Sequence, residues 1–276
     1  MAGAYEERIA AAVARRVGLA FTTTVVLYSG TNVVVHLSPT PVVARVTRIG
    51  HLVRPVTDLA GSIALARSTA VRGCVVAPST AVDPGPHIEQ SRYVTFWSRY
   101  PSEAATVMAT PAEVGAGLRR FHESARAHAG QLRSFDPRPE ALKIADIVNR
   151  DIGAILRSAA TSMTVPDLAQ QPIHGDAHEE NALAGGIWQD LDDACRGPIE
   201  WDLASLQHRR FFFGERQHEI AEALRAYGPH AHDVVEALGP AVVLAIAAWG
   251  SLATYLGEEV GPRTRLRLAW LKERFG

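Results

Sequence analysis

Cysteine and net charge are both scarce in this sequence. The 276 residues contain two cysteines, Cys74 and Cys195, and neither stands in a C-x-x-C or Cys/His pattern. Their placement argues against a disulfide framework or a structural zinc site and favours two ordinary thiols. The formal net charge is −1, so no overall electrostatic field attracts nucleic acid or an acidic membrane surface. We therefore expect no nucleic-acid partner.

Long apolar runs are missing as well. The most apolar stretch, residues 241–256, has about 16 residues, whereas a membrane-spanning helix usually needs about 20. We predict that this stretch is a buried core helix that begins after Pro240. The opening sequence MAGAYEERIA is acidic where a secretory signal would be basic. These features predict a cytoplasmic protein without a membrane segment, and they leave its oligomeric state open.

The character of the sequence changes along its length. Valine and threonine dominate residues 24–49, where the turn sequences SGTN and SPTP separate three predicted antiparallel strands. Helices are predicted on either side of these strands, at 4–17 and 57–72, and further strands at 74–79 and 92–100. Helical periodicity prevails in the rest of the chain. The helices predicted there cover residues 111–128, 139–160, 215–227, 231–238 and 241–273.

This division predicts an α+β fold with two lobes. Residues 1–97 would form a small N-terminal lobe around an antiparallel sheet, and residues 98–276 a mainly helical C-terminal lobe. The aromatic residues Phe211, Phe212 and Phe213 are predicted to lie in the core of the second lobe.

Polar residues are concentrated in one short segment, HGDAHEEN at 174–181, directly before a predicted hairpin. The glycines at 185–186 both tolerate positive φ, as a two-residue type I′ turn requires. Such a turn would place Asn181 opposite Asp190 in a non-hydrogen-bonded pair, with both side chains on one face. An amide oxygen and a carboxylate are ligands that Mg²⁺ prefers. We predict a magnesium site at these two residues, with Asp176 beside it.

The same segment permits a rival hypothesis. His174, Asp176 and His178 resemble a metal-binding triad, which would suit a metal-dependent hydrolase with imidazole ligands. This hypothesis gives no reason for the polar residues of the hairpin or for the sequence GPIEWDLA that follows it.

The order of these motifs resembles a known family. HGDxxxxN, a hairpin, Asp190-Leu191-Asp192 and GPIEWDLA are similar to the aminoglycoside phosphotransferase-like family of small-molecule kinases, which is close to choline kinases and shares the protein-kinase fold. The resemblance implies a two-lobed kinase-like fold that uses Mg²⁺ and ATP, with GTP as an alternative. It also implies transfer of the γ-phosphoryl group to a hydroxyl of a small molecule. Antibiotics and other cationic compounds are among the candidate acceptors.

The resemblance implies roles for individual residues. Asp176 matches the catalytic aspartate that accepts the hydroxyl proton, and Asn181 and Asp190 match the metal ligands. Three further residues match supporting positions beside the catalytic loop, near the metal and at the anchor of the C-terminal helices. These are His174, Asp192 and Asp202.

In the N-terminal lobe the resemblance points to a nucleotide site. The turn after the first strand is similar to the loop that covers the phosphates, and residues 94–100 resemble the strand whose backbone meets the adenine. Arg45 stands where kinases have a lysine, with Arg48 as the alternative if the register shifts. An arginine keeps the charge and offers a planar fork to phosphate oxygens. The predicted nucleotide-binding residues are Ser29, Gly30, Thr31, Asn32, Arg45, Phe96 and Trp97.

Two positions depart from the family pattern. The helix position that usually supplies a glutamate to the strand lysine holds Ser62, with Asp58 one turn earlier as a substitute. Glu179 and Glu180 replace a pair of small residues before the asparagine. The missing glutamate keeps a second hypothesis open, a kinase-like protein that binds a nucleotide or metabolite without catalysis. Acidic residues that could line an acceptor site in the helical lobe are Glu215, Glu219, Glu222, Glu258 and Glu259.

Overall fold

A five-stranded antiparallel sheet forms the N-terminal lobe in the computed structural model, which describes residues 3–70, 72–100, 108–208 and 216–276. The strand order is β1-β2-β3-β5-β4. The strands are β1 (Thr23–Ser29), β2 (Asn32–Ser38), β3 (Val42–Thr47), β4 (His87–Glu89) and β5 (Arg92–Ser98). The three strands predicted within residues 24–49 and the one predicted at 92–100 are confirmed, whereas β4 was not predicted.

The two faces of this sheet have different partners. Helix α1 (Ala4–Arg16) packs on one face, where alternate strand residues such as Val35, Ala44 and Phe96 form a buried cluster with it. Because successive strand residues point to opposite faces, Arg45 lies on the other face, paired across the ladder with Val34. The sheet therefore presents Arg45 away from its own core.

The connection between β3 and β4 includes helix α2 (Val56–Ala70), close to the predicted 57–72. The strand predicted at 74–79 is wrong. Only isolated bridges occur there, from Val75 to Trp188 and from Pro78 to Trp97. Proline has no N–H to donate, which limits a continuous ladder in this short segment.

Helices make up most of the second lobe. Those in the described residues are α3 (Pro111–Ala125), α4 (Pro137–Ile147), α5 (Arg150–Ser162), α6 (Ile199–His208), α7 (Gln217–Tyr227), α8 (His232–Ser251) and α9 (Pro262–Phe275). Two short antiparallel pairs lie between α5 and α6, β6 (Gln171–Ile173) with β9 (Cys195–Gly197) and β7 (Ala182–Leu183) with β8 (Ile187–Trp188). The α+β prediction, with an antiparallel sheet followed by a helical part, is confirmed.

Helix boundaries differ from the predictions in three places. The single helix predicted at 139–160 is two helices, because Val148 is extended and Asn149 caps α5 by accepting from the Ile152 N–H. The break predicted at Pro240 is absent, since α8 continues through it. The helix predicted at 241–273 is instead divided, because α8 ends at Ser251, a 3₁₀ turn follows at Leu252–Leu256, and α9 begins at Pro262. Burial of α8 on both sides of the proline offsets the hydrogen bond that proline removes.

The stretch His232–Leu256 is the one helical segment of the described chain that is long and apolar enough to cross a membrane, with a mean hydropathy of 1.7. However, 56% of its most apolar window is buried inside the fold, as expected for a core helix. Length and composition alone therefore give little support for a membrane span. Phe211, Phe212 and Phe213, predicted to be core residues, lie outside the described residues, and so does Glu215.

Candidate active site

One buried carboxylate, that of Asp202, fixes the backbone of the segment that carries Asp176. Strand β6 leads into His174 and Gly175, whose backbone N–H groups both donate to Asp202 at 2.8 Å. Asp202 is fully buried and also contacts His122 Nε2 at 2.8 Å. Because three donors converge on it, Asp202 fixes the backbone immediately before Asp176. This is the place where the resemblance put an anchoring residue.

The anchor extends to a tyrosine on a different helix. His122 Nδ1 lies 2.9 Å from the Tyr227 hydroxyl. The ring therefore donates to Asp202 through Nε2 and accepts from the phenol through Nδ1. Burial, together with the charge of Asp202, raises the pKa of Tyr227, so its hydroxyl keeps the proton that it donates.

His174 has a structural contact. Its Nε2 lies 2.8 Å from the Gln189 carbonyl oxygen, and its ring packs edge-on against Trp188 at 5.0 Å between centroids. The side chain is fully buried. His174 thus ties the catalytic segment to the hairpin, as the supporting role implies.

The register of the hairpin differs from the prediction by one residue. Leu183 pairs with Ile187 and Ala182 with Trp188, so the turn has three residues, 184–186, instead of two. Both turn glycines have positive φ, which a three-residue turn also accommodates. Asn181 consequently lies opposite Gln189, whose N–H donates to its carbonyl at 2.9 Å, and the predicted pairing with Asp190 is wrong.

Asn181 and Asp190 reach the site by separate routes. Asn181 is buried and donates from Nδ2 to the Asp176 carbonyl at 3.1 Å, which leaves its amide oxygen available as a ligand. Asp190 has a φ of 62°, the left-handed region, and its carboxylate forms an ion pair with Arg45. The structure therefore links Asn181 to Asp176, and Asp190 to Arg45.

Arg45 lies between two carboxylates. Besides Asp190, its Nε lies 3.1 Å from Asp192 Oδ2, and Asn32 Nδ2 donates to the same oxygen at 3.0 Å. Burial lowers the pKa of Arg45, but Asp190 and Asp192 outweigh it and the pKa is raised, so the guanidinium stays charged. Burial also raises the pKa of Asp192, to about 6, even though Arg45 opposes the shift. Ser62 makes no such contact, because its hydroxyl donates to the Asp58 carbonyl.

The predicted phosphate-covering loop, Ser29 to Asn32, is a tight turn between β1 and β2. A Cβ at Gly30 would lie 2.3 Å from the Tyr28 hydroxyl, so a larger residue there would displace the exposed Tyr28 side chain. Arg48 supports the loop by donating to the Gly30 carbonyl at 3.1 Å and pairs with Glu258 of the C-terminal lobe at 3.4 Å. Arg48 therefore contacts the loop backbone, and Arg45 is the arginine beside Asp190.

Phe96 and Trp97 lie on opposite faces of β5. Phe96 is fully buried against α1, its N–H donates to the Pro84 carbonyl, and its own carbonyl accepts from Ser79. These two backbone groups of Phe96 are already paired within the protein, and the contact of the segment 94–100 with the adenine stays a prediction. Trp97 is on the face of Arg45, and its indole N–H donates to Thr95 at 2.8 Å.

A cavity of about 330 Å³ lies next to Asp176 and Asp192. The residues that line it do not include Arg45, Asn181, Asp190, Phe96 or Trp97. Thr31 and Asn32 of the loop, together with Asp176 and Asp192, line one part of it. The remaining wall comes from the helical lobe, from the start of α2 and from sheet residues such as Thr47 and Tyr93. Its members include Asp58, Trp201 and Trp249. The cavity thus joins the predicted phosphate loop to the predicted catalytic aspartate.

A network of charges that the sequence did not reveal borders this cavity. Arg54 donates to both carboxylate oxygens of Glu140 at 2.8 Å, and Arg133 donates to Glu140 at 3.0 Å. The Arg54 guanidinium also lies 4.5 Å from the centre of the Trp249 ring. Arg54 and Trp249 lie far along the chain from Arg133 and Glu140, and the four residues share no motif, so no spacing signal could have found them.

This network predicts a pH dependence of stability. Burial alone raises the pKa of Glu140, but its bonds to Arg54, with help from Arg133, lower it from 4.5 to about 2. A carboxyl with a depressed pKa stabilises the fold above its unfolded pKa and loses that contribution as the pH falls through its folded pKa. We expect Glu140→Gln to lower the free energy of unfolding at neutral pH by about 2–3 kcal/mol, less near pH 3.

Urea denaturation at several pH values checks this expectation. The difference in unfolding free energy between wild type and Glu140→Gln should shrink as the pH falls from about 5 towards 2. Asp146→Asn is a matched control, because Asp146 is exposed on the same helix and pairs only with a surface arginine among the described residues. A difference in unfolding free energy between wild type and Glu140→Gln that stays constant across this pH range would contradict the account.

The donor set suits a hard cation. Asn181 offers an amide oxygen and Asp190 a carboxylate, and Mg²⁺ binds through one or two carboxylates with phosphate oxygens and water. The part of the chain that the structure describes contains no group of three or more His, Cys, Asp or Glu side chains placed to hold a metal. The imidazole set of the hydrolase hypothesis is not assembled, since His174 is committed to the Gln189 carbonyl.

A profile comparison decides the family. The profile of the phosphotransferase enzyme family matches residues 28–238, from the end of β1 into α8. The chain belongs to the phosphotransferase enzyme family. A search of curated proteins found no significant match.

Solved structures share the fold of this phosphotransferase. The amicoumacin kinase hAmiN, in complex with AMP-PNP, Ca²⁺ and Ami, matches with a TM-score of 0.72 at 14% identity, over 98% of this chain and 92% of that one. Choline kinase LicA from Streptococcus pneumoniae matches with a TM-score of 0.69 at 14% identity, over 98% of both chains. A choline/ethanolamine kinase family protein from Mesorhizobium loti matches with a TM-score of 0.60 at 19% identity, over 99% of this chain and 93% of that one. At these identities the likeness shows the fold.

These findings confirm three predictions. They are the family, the kinase-like α+β fold and the assignment of the chain as a phosphotransferase enzyme. The hydrolase hypothesis is not supported by the family match.

Proposed function

We propose that this phosphotransferase moves the γ-phosphoryl group of ATP, or of GTP, to a hydroxyl of a small molecule. The observation that carries the proposal is the single cavity that both the phosphate loop and Asp176 line. The amicoumacin kinase was solved with a nucleotide analogue and a divalent cation, which fits a nucleotide-dependent reaction on this fold. Antibiotic resistance is one biological role that such an enzyme would serve.

The donor end of the site is the charged group around Arg45. Its guanidinium would contact the phosphate oxygens, while the loop from Ser29 to Asn32 covers them. Asn181 and Asp190 would hold Mg²⁺, which when bound neutralises negative charge on the phosphates. The adenine site is expected at the junction of the lobes, beyond β5.

Asp176 would act at the acceptor end. The acceptor oxygen forms its new bond to the γ-phosphorus while the bond from that phosphorus to the β-phosphate oxygen breaks. Asp176 would orient the hydroxyl and take its proton, so that ADP leaves with the electron pair. The Asp202 anchor and the Asn181 bond to the Asp176 carbonyl restrain the backbone, and with it the position of this carboxylate.

The cavity is compatible with several acceptors. Its volume falls at the lower end of the range for small-molecule pockets. Aromatic walls and carboxylates would suit an amine-bearing acceptor with an apolar body. The carboxylates of Glu140 and Asp193 already pair with arginines, so the cavity carries fewer uncompensated charges than its lining suggests. Aminoglycosides, other cationic antibiotics, macrolides, amino alcohols and sugars are the compounds to compare.

A substrate screen tests the proposal. The purified chain would be incubated with Mg²⁺, either ATP or GTP, and each acceptor, and the products analysed by mass spectrometry. We expect at least one acceptor to gain the mass of one phosphoryl group, in a reaction that Asp176→Asn slows at least about a hundredfold. A chain that binds nucleotide but phosphorylates none of these classes would favour the binding-protein hypothesis instead.

A further inference from the structure

Asp192 contacts residues from two other segments of the site, the phosphate loop and β3. Its Oδ2 accepts a hydrogen bond from Asn32 at the end of the phosphate loop and forms an ion pair with Arg45 on β3. Asp192 itself belongs to the 3₁₀ turn Leu191–Asp193, directly after Asp190. One carboxylate oxygen therefore connects β2, β3 and the turn that carries the expected metal ligand.

Helix α2 does not supply this connection. The position expected to carry a glutamate is Ser62, which is buried and bonded to its own helix. A guanidinium with Asp190 as its only partner would be drawn onto the carboxylate expected to bind the metal. A second anion is therefore needed to hold Arg45 at a fixed distance from Asp190.

We infer that Asp192 is the positioning residue that replaces the missing helix carboxylate and holds Arg45 and the phosphate loop in place for the nucleotide. The inference rests on the proposed function. Asp192 forms an ion pair with Nε at 3.1 Å, without hydrogen-bond geometry, and Asp190 pairs with Nη2, which leaves Nη1 as the end directed to neither of these two carboxylates. Through Asn32 the same oxygen also restrains the loop that would cover the phosphates.

This role predicts coupling between two residues. Asp192→Asn keeps the size of the side chain but removes the charge that holds Arg45, so the guanidinium moves towards Asp190. We expect the dissociation constant for ADP, measured calorimetrically with EDTA present, to rise about tenfold. Arg45→Met should also weaken ADP binding. In the Arg45→Met background, Asp192→Asn should change ADP affinity less than twofold, because its effect acts through the missing guanidinium.

The neighbouring carboxylate provides the control. Asp193 lies in the same turn but pairs with Arg54 and Arg133. In the double variant that carries Asp193→Asn and Arg45→Met, the change in the ADP dissociation constant should equal the product of the two single changes within about twofold. Asp192→Glu retains the charge, so the logarithm of its ADP dissociation constant should rise by no more than half as much as that of Asp192→Asn. If Asp192→Asn fails to fold, Asp192→Glu still allows the measurement.

Three results would overturn the inference while leaving the proposed function standing. The first is ADP binding by Asp192→Asn that is unchanged or tighter than wild type. The second is a double variant, Asp192→Asn with Arg45→Met, whose change in the ADP dissociation constant equals the product of the two single changes, as expected for the control. The third is a defect that appears only when Mg²⁺ is present, which would make Asp192 a metal ligand. Wild-type protein that binds no ADP would count against the proposed function as well.

Discussion

Asparagine in place of Asp176 should lower kcat by a factor of about 10²–10⁴, the usual contribution of a positioned general base. An amide cannot take the acceptor proton, yet it has nearly the same size as the carboxylate. The fold should be preserved, because Asp202 and Trp201 fix this loop through the backbone of residues 174–175, and an amide can keep the 3.6 Å contact of Asp176 Oδ2 with His178 Nε2. Steady-state kinetics with any acceptor found in the screen measure kcat, and calorimetric titration with ADP measures the affinity for the nucleotide.

The ADP dissociation constant of Asp176→Asn should stay within about twofold of wild type, since the proton acceptor acts on the hydroxyl rather than on the bound diphosphate. Asp167→Asn is a suitable control, because Asp167 is exposed in the loop before β6. A kcat for Asp176→Asn within about threefold of wild type would remove Asp176 from the proposed role.

Loss of the Asp202 carboxylate should have the largest effect on stability. The side chain is fully buried and accepts from two backbone N–H groups and from His122. An asparagine would turn an N–H group towards at least one of these donors. Because breaking a buried charged network by changing one partner costs about 3–5 kcal/mol, we expect Asp202→Asn to lower the free energy of unfolding by that amount. Urea denaturation provides the measurement.

The network also predicts a graded series. Tyr227→Phe removes only the hydroxyl that donates to His122, so it should cost about 1 kcal/mol. Hydrogen exchange at the amides of His174 and Gly175 should accelerate strongly in Asp202→Asn and little in Tyr227→Phe, because only the first change removes their acceptor. Equal unfolding free energies for Asp202→Asn and wild type would show that the anchor does not stabilise the fold.

The sheet and most helices could be predicted because their signals are local. Valine-rich alternation with turn residues marks β1 to β3, and Pro111 after Thr110 marks the start of α3, where Thr110 and Glu113 form a capping box. Pro240 misled the prediction of α8, because burial of the helix outweighs the local cost of proline. Local chemistry thus gives element type more reliably than element ends.

The hairpin shows how a small local error affects a site. Gly185 and Gly186 fit both a two-residue and a three-residue turn, and the one-residue difference moves Asn181 from Asp190 to Gln189. Asn181 still reaches the site through its bond to the Asp176 carbonyl. The residue types were therefore more informative than the geometry inferred from them.

Long-range contacts lie beyond single-sequence reasoning. The family pattern predicts a partner for Arg45 on α2, at Ser62 or Asp58, whereas the structure provides Asp192 from the turn after Asp190. Arg54 and Glu140 likewise meet only in the folded chain. Such pairs have no fixed spacing along the sequence, so only the tertiary structure reveals them.

The most direct test of this account is the effect of Mg²⁺ on ADP binding by wild type and Asp190→Asn. Calorimetric titrations with and without Mg²⁺ should show tighter ADP binding with the metal in wild type, and no such gain once the carboxylate is replaced. A gain from Mg²⁺ that is the same in both proteins would contradict the placement of the metal and nucleotide at this site.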